Sequence, residues 1–132
     1  MTTALLRRTL ATACLVAVAL GLASCSDDDS KTPKSTLKLT VTPAAPGATP
    51  TTVTLTCEPT GGDHANAEAA CAALAAVGGD FDKLTGDPNA VCTQVFEPVD
   101  ASVTGTWQGK QVDWRKVFGN KCELSARTTP VF

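Results

Sequence analysis

Thr52–Gly79 reads TVTLTCEPTGGDHANAEAACAALAAVGG, and its two halves carry different periods. Val53, Leu55 and Cys57 alternate with Thr52, Thr54 and Thr56, a period of two that turns one face of a strand inward and the other to solvent. Pro59–Gly62 supplies a turn. From Ala65 to Val77 alanine dominates, and Ala67, Ala70, Cys71, Leu74 and Val77 fall on one stripe of a helix. Asp63 is placed as the N-cap and Gly78–Gly79 as the stop. A stripe this rich in alanine lets the helix lie close against a sheet. Cys57, on the inward face of the strand, and Cys71, on the helix stripe, look like a strand-to-helix bridge. It would close a loop of about 15 residues, worth about 3 kcal/mol.

Outward from this stretch the alternation continues. Leu37, Leu39 and Val41 alternate with Lys38, Thr40 and Thr42 as an earlier strand, and Pro43 to Pro50 is a proline-rich loop. Downstream, Phe81 and Leu84 are small apolar anchors, and Asp87–Pro88–Asn89 makes a turn. Val99 to Trp107 alternates again. Gln108–Gly109–Lys110–Gln111 turns the chain into a strand or short helix carrying Val112 and Trp114, and Val117 and Phe118 extend the apolar set. Gly119–Asn120 breaks it, and Glu123 to Phe132 is read as a last strand through Leu124 and Ala126. Strands outnumber helices and connect partly by short turns. The reading is an α+β domain with a mostly antiparallel sheet, spanning residues 37–132. At this size the core is modest and covalent staples are useful.

Residues 1–24 are read as a removable leader. Arg7 and Arg8 give it a basic start, and Leu10 to Leu20 is an uncharged, mostly apolar run. That run is short for a bilayer span of about 20 residues. Leu22–Ala23–Ser24–Cys25 resembles the bacterial lipobox, in which Cys25 receives a diacylglyceryl group and becomes the first mature residue. Residues 25–36 then form a lipidated cysteine and a polar tether, including the solvated run Asp27–Asp29. The expected location is extracytoplasmic, anchored in the cell membrane through modified Cys25. The whole chain has 11 basic and 13 acidic side chains and a net charge of −2. Loss of Arg7 and Arg8 makes the mature chain more acidic, which argues against nucleic acid or an anionic surface as partner.

Of six cysteines, Cys14 leaves with the leader and Cys25 is taken by lipid. Cys57, Cys71, Cys92 and Cys122 remain, and four cysteines in an exported domain point to two disulfides, for which sequence permits three pairings. They lack C-x-x-C spacing, so neither a redox pair nor a compact zinc site is indicated. His64, the single histidine, has no serine or free cysteine to activate and is read as exposed or capping. Trp107 and Trp114 are read as packing residues rather than the walls of a ligand groove. No metal or cofactor is expected, nor is an enzyme. What stands out is Cys92–Thr93–Gln94–Val95–Phe96, an exposed segment between Pro88 and Pro98. A bond from Cys92 to Cys122 would hold it against a distant part of the domain, as suits a segment offered to another protein.

Val53–Thr54–Leu55–Thr56–Cys57, the run Ala70 to Asp80, and Cys92 with Val95–Phe96–Glu97–Pro98–Val99 together resemble the Streptomyces subtilisin inhibitor family. So do Gly105–Thr106–Trp107–Gln108–Gly109–Lys110, Arg115–Lys116–Val117–Phe118 and Asn120–Lys121–Cys122–Glu123. The resemblance covers residues 37–132. It implies a five-stranded antiparallel sheet with two helices and the disulfides Cys57–Cys71 and Cys92–Cys122. It also implies substrate-like binding of secreted subtilisin-like serine proteases, and a homodimer formed through the sheets. Carried onto this chain, Gln94 is the primary specificity residue and Gln94–Val95 the reactive bond. Val91 enters an apolar subsite, Cys92 and Thr93 pair with the enzyme as an edge strand, and Phe96 and Glu97 follow Val95 on the leaving side. Asn120 braces the loop backbone, and Cys122 ties it down. The family usually has a large apolar or basic residue where Gln94 stands and often proline at Thr93, so weaker binding to an apolar pocket is implied. The competing expectation is a non-inhibitory surface protein or transglutaminase substrate, with Gln94 and Lys110 or Lys121 as cross-linking groups.

Overall fold

Thr-rich alternation builds the centre of the molecule. In a computed structural model that describes residues 32–132, β1 (Ser35–Pro43) pairs antiparallel with both β2 (Thr51–Cys57) and β4 (Val99–Trp107). The leader, Cys25 and most of the tether lie outside the described residues. The two-residue β3 (Gly61–Gly62) pairs with β2, and β5 (Lys110–Phe118) with β4, giving the order β3-β2-β1-β4-β5. Every neighbouring pair is antiparallel. The elements after β3 are α1 (Ala67–Ala76), a 3₁₀ turn (Phe81–Lys83), β4, β5 and α2 (Lys121–Thr128). Among the described residues no helix is long and apolar enough to cross a membrane.

Register explains which side chains are inside. Leu37, Leu39 and Val41 face Leu55, Val53 and Thr51 on one side. On the other they face Gly105, Val103 and Ala101. Both helices lie on this face. Ala70 and Leu74 of α1 are fully buried against Leu37, Leu39, Leu55 and Trp107, and Leu124 of α2 closes a second cluster with Val99, Ala101 and Phe118. Phe81, Trp114 and Phe132 stack between them, with ring centroids 5.4 and 6.1 Å apart. Both tryptophans therefore pack. Gly78 and Gly79 end α1 with φ of 64° and 79°, and a Cβ on Gly79 would strike the Trp107 indole.

Among the described residues nothing covers the opposite face, which is mostly polar, with Val117 exposed at its β5 margin. Thr36, Lys38 and Thr40 alternate outward on β1, opposite Thr56, Thr54 and Thr52 of β2 and Thr106, Thr104 and Ser102 of β4. Thr40 and Thr52 share a hydroxyl contact of 3.0 Å across strands. At its β5 margin Arg115 meets Asp100 at 2.6 Å, and this hydrogen bond and charge raise the guanidinium pKa above its ordinary value.

Three expectations change. The last strand expected in Glu123–Phe132 is instead α2, capped by Asn120, whose side chain accepts from Glu123 N at 2.8 Å. Asp63 does not cap α1; its carboxylate accepts from Thr54 N, and Asn66 stands at the cap position without a side-chain bond. The helix starts at Ala67 rather than Ala65. Strand β1 starts at Ser35, two residues ahead of the alternation read from Leu37, and the Ser35 hydroxyl is buried and accepts from Gln108 N at 2.9 Å. The segment with Val112 and Trp114 is a strand, joined to β4 by Gln108–Gly109 with φ of 47° and 80°, the geometry of a tight hairpin turn.

Candidate functional site

Between the 3₁₀ turn and β4 the chain runs without regular structure, and residues 91–98 lie in that run. Turn chemistry delivers it: Asn89 N donates to Asp87 Oδ1 at 2.9 Å and Ala90 N to Asp87 O at 3.2 Å. At its far end Pro98 leads into Val99, the first buried residue of β4. A segment without a ladder partner leaves main-chain groups open, which is what another protein's strand can pair with.

Three restraints hold this segment to the body. The disulfide Cys92–Cys122 ties its start to the first turn of α2, with Cα atoms 5.7 Å apart. Asn120 Nδ2 donates to Thr93 O at 3.2 Å and to Val95 O at 2.9 Å. Beyond them, Glu97 N donates to Gly119 O at 2.9 Å. One carboxamide NH₂ has two hydrogens, so Asn120 spans the Gln94–Val95 bond from its two sides. The same Asn120 caps α2 through its oxygen. Glu123 in turn accepts from Gly119 N at 2.9 Å, closing a reciprocal arrangement like a capping box. The brace thus stands on a helix end that is itself fixed.

With the backbone held, the side chains are free. Val91 is 93% exposed, Phe96 81% and Val95 52%, against a core of fully buried aliphatics. Thr93, Gln94 and Glu97 are exposed as well. Three large apolar groups in water on one short loop are the feature that marks a contact surface. A cleft of about 830 Å³ beside the loop is lined by Pro43, Ala44, Phe96 and Asn120 among others.

The structure brings together Val91, Cys92, Thr93, Gln94, Val95, Phe96, Glu97, Asn120 and Cys122. Sequence reading missed the backbone partners: Ala44 N donates to Pro98 O at 2.9 Å, and Gly119 supplies the carbonyl for Glu97. Main-chain bonds leave no residue-type signature. The Asn-x-x-Glu spacing of Asn120 and Glu123 was the available signal for the helix start.

His64 is elsewhere. Its Nδ1 accepts from Asn66 N at 3.0 Å, which leaves Nε2 to carry the proton and donate to Val131 O at 2.8 Å. Its job is to hold the α1 approach to the C-terminal segment. Among the described residues no group of three or more His, Cys, Asp or Glu side chains is placed to hold a metal.

Residues 33–120 match the subtilisin inhibitor-like family. The chain is 49% identical over 81 residues to the subtilisin inhibitor of Streptomyces albogriseolus, an alignment covering 61% of this chain and 56% of that one. To subtilisin inhibitor-like protein 5 of Streptomyces fradiae it is 46% identical over 81 residues, covering 61% and 76%. The chain thus spans from little over half to three quarters of these curated relatives' length. The fold also aligns with a chain from the crystal structure of Streptomyces caespitosus sermetstatin in complex with Bacillus licheniformis subtilisin. The TM-score is 0.63 at 34% identity, covering 74% of this chain and 96% of that chain. With two thirds of its length matched, its five-stranded antiparallel sheet, two helices and two disulfides, the chain belongs to the subtilisin inhibitor-like family.

Proposed function

We propose that this protein is an extracytoplasmic inhibitor of subtilisin-like serine proteases, and that it binds them by a substrate-like loop with Gln94–Val95 as the reactive bond. The observation that carries the reading is the Asn120 brace on Thr93 O and Val95 O, one hydrogen bond on each side of that bond. Names of relatives support it, two of them subtilisin inhibitors or inhibitor-like proteins, as does a structural neighbour solved with subtilisin.

The chemistry follows from the restraints. The protease serine attacks the Gln94 carbonyl carbon, and the Gln94–Val95 bond breaks. An ester forms to the enzyme, and the Val95 nitrogen leaves as an amine after taking a proton. In an ordinary substrate that amine diffuses away and water enters. Here the Val95 side of the cut remains attached through the Asn120–Val95 bond, the Glu97–Gly119 bond and the continuous chain into β4. The Thr93 side remains attached through Asn120 and Cys92–Cys122. The amine stays beside the ester, religation outruns hydrolysis, and the enzyme is occupied. A loop already in its bound shape also loses little conformational entropy on docking.

Val91 fills an apolar subsite in this reading, Cys92 and Thr93 pair along the enzyme edge, and Phe96 and Glu97 contact the leaving side. Cys25 is lipidated and holds the chain at the membrane. A homodimer through the uncovered sheet face is carried by the family likeness; that face presents Lys38 among threonines. Sedimentation of the soluble domain at micromolar concentration tests it, a monomer alone removing it. The inhibitor reading is tested by titrating subtilisin with the domain and following both activity and mass. Stoichiometric loss of activity with slow cleavage after Gln94 supports it, and rapid complete proteolysis sinks it. Mass analysis of the membrane-bound N-terminal peptide tests Cys25, since an unmodified Cys25 there removes the anchor.

A further inference from the structure

Strand β1 has a direction, and that direction relates the two ends of the molecule. At its first residue, Ser35 pairs with Cys57 and accepts from Gln108 N, while Lys34 N donates to Glu58 O and Lys34 Nζ meets Glu58 at 3.2 Å. Lys34, Glu58, Gln108, Gly109 and Lys110 therefore make up the end where the chain enters. At the last residue of β1, Pro43 pairs with Val99, Ala44 N bonds Pro98 O, and Glu97 N bonds Gly119 O. The loop 91–98, Asn120 and Cys122 lie at that end. A nine-residue strand separates the two by about 30 Å.

We propose that the domain stands with its entry end toward the membrane and its loop outward, so that the anchored chain captures soluble proteases of full size. This rests on the readings of Cys25 as the lipidated residue and of 91–97 as the contact loop. Size makes the polarity matter. A globular protease domain of about 270 residues has a radius of gyration near 18–19 Å, hence a width of roughly 45–50 Å. Segment 25–34 spans at most about 33–36 Å even when fully extended. Were the loop at the entry end, a captured protease would have to fit between domain and bilayer, in a gap narrower than itself. With the loop at the far end, a domain standing on its entry end puts its own length between the enzyme and the bilayer. The partner class that fits is a freely diffusing protease approaching from outside.

After leader removal Cys25 is the one cysteine outside the two disulfides, so the mature chain is coupled through it to vesicles bearing a maleimide lipid. A second form, Cys25→Ser with Ala45→Cys, is coupled at the loop end, and the same form capped by a small maleimide controls for the modification itself. Two quantities are read: the rate of subtilisin capture, and acylation of lysines by a membrane-impermeant reagent. Coupling through Cys25 is expected to leave the capture rate within twofold of the free chain. Coupling at position 45 should lower it at least tenfold, with the small cap having little effect. On Cys25-coupled vesicles, labelling of Lys34 and Lys110 should fall at least twofold relative to Lys121. Capture slowed as much by Cys25 coupling as by coupling at position 45, or Lys121 shielded as strongly as Lys34, overturns the proposal. If the free chain fails to inhibit at all, the inhibitor reading falls, and the lysine pattern alone still decides the orientation.

Discussion

The two disulfides use the same chemistry and the same Cα separation of 5.7 Å for different ends. Cys57 is buried in the main core, and Cys57–Cys71 joins β2 to α1. Cys122 is exposed, and Cys92–Cys122 joins a loop without regular structure to a helix end. Loop-closure entropy ranks them nearly alike, about 3 kcal/mol for the shorter loop and about 3.7 for the longer. Stability therefore does not explain why both are present. The difference lies in what each leaves fixed: the first fixes the core, the second fixes the shape of a surface that contributes almost nothing to that core.

The strongest way to break this contrast is to remove the outer bridge. Replacing Cys92 and Cys122 together by serine should turn the loop into an ordinary substrate, with cleavage after Gln94 faster by a hundredfold or more in single-turnover mass analysis. Replacing Cys57 and Cys71 by alanine should lower the denaturant midpoint while cleavage stays slow wherever the domain remains folded. Fast cleavage in both variants would mean that the two bridges do one job.

Next in size is Asn120. Its alanine variant loses two hydrogen bonds to the loop, worth about 1 kcal/mol each, and the cap of α2, worth about 1 kcal/mol more. The inhibition constant should rise ten- to a hundredfold, and Asn120→Asp separates the parts. Aspartate keeps the capping oxygen but has no NH₂, so it should preserve the midpoint and still lose inhibition. A fully inhibitory Asn120→Asp would show that the brace is irrelevant.

Here the sequence was only partly legible. Strands β1, β2 and β4 announced themselves because each has one buried and one solvated face, and α1 because Ala70, Cys71 and Leu74 share a stripe. The second helix did not. Leu124 and Ala126 are two apart, which reads as alternation, while α2 is short and buries only Leu124 and Thr128. A helix with so narrow an apolar contact has almost no periodic signature, and its evidence lies in the cap. The same holds for Asp63, whose carboxylate serves the backbone of β2 rather than the helix it precedes. The loop residues were proposed from likeness to a family; the main-chain bonds of Ala44 and Gly119 had no signal in the sequence, since any residue supplies such groups.

Gln94 gives a smaller effect and sharpens the contrast from the loop side. Replacement by Met or Leu removes an amide that an apolar pocket leaves poorly paired and adds apolar area. At about 25 cal/mol per Å², some 40 Å² contributes roughly 1 kcal/mol, and relief of the amide a similar amount. Inhibition of subtilisin should improve about tenfold, with the thermal midpoint unmoved. Gln94→Lys should shift preference toward trypsin-like enzymes. Unchanged constants in all these variants would put the reactive bond elsewhere.

The smallest effect on inhibition is expected at Gly79, which lies in the body. Gly79→Ala must fit a Cβ against Trp107 at a φ of 79°, and overpacking of this kind costs about 1–3 kcal/mol. The denaturant midpoint should fall while the inhibition constant at low temperature does not change. A parallel loss of inhibition would show that the loop senses core packing.

The exposure of Val91, Val95 and Phe96 has a consequence for how such a protein changes over generations. None of the three helps to bury the core, so a substitution that alters what the loop recognises leaves folding stability almost untouched. Most adaptive change in proteins draws on a limited reserve of stability; change at these positions does not. On the proposed inhibitor reading, a lineage can follow a drifting protease residue by residue, and the scaffold sets no early limit on how many steps it takes.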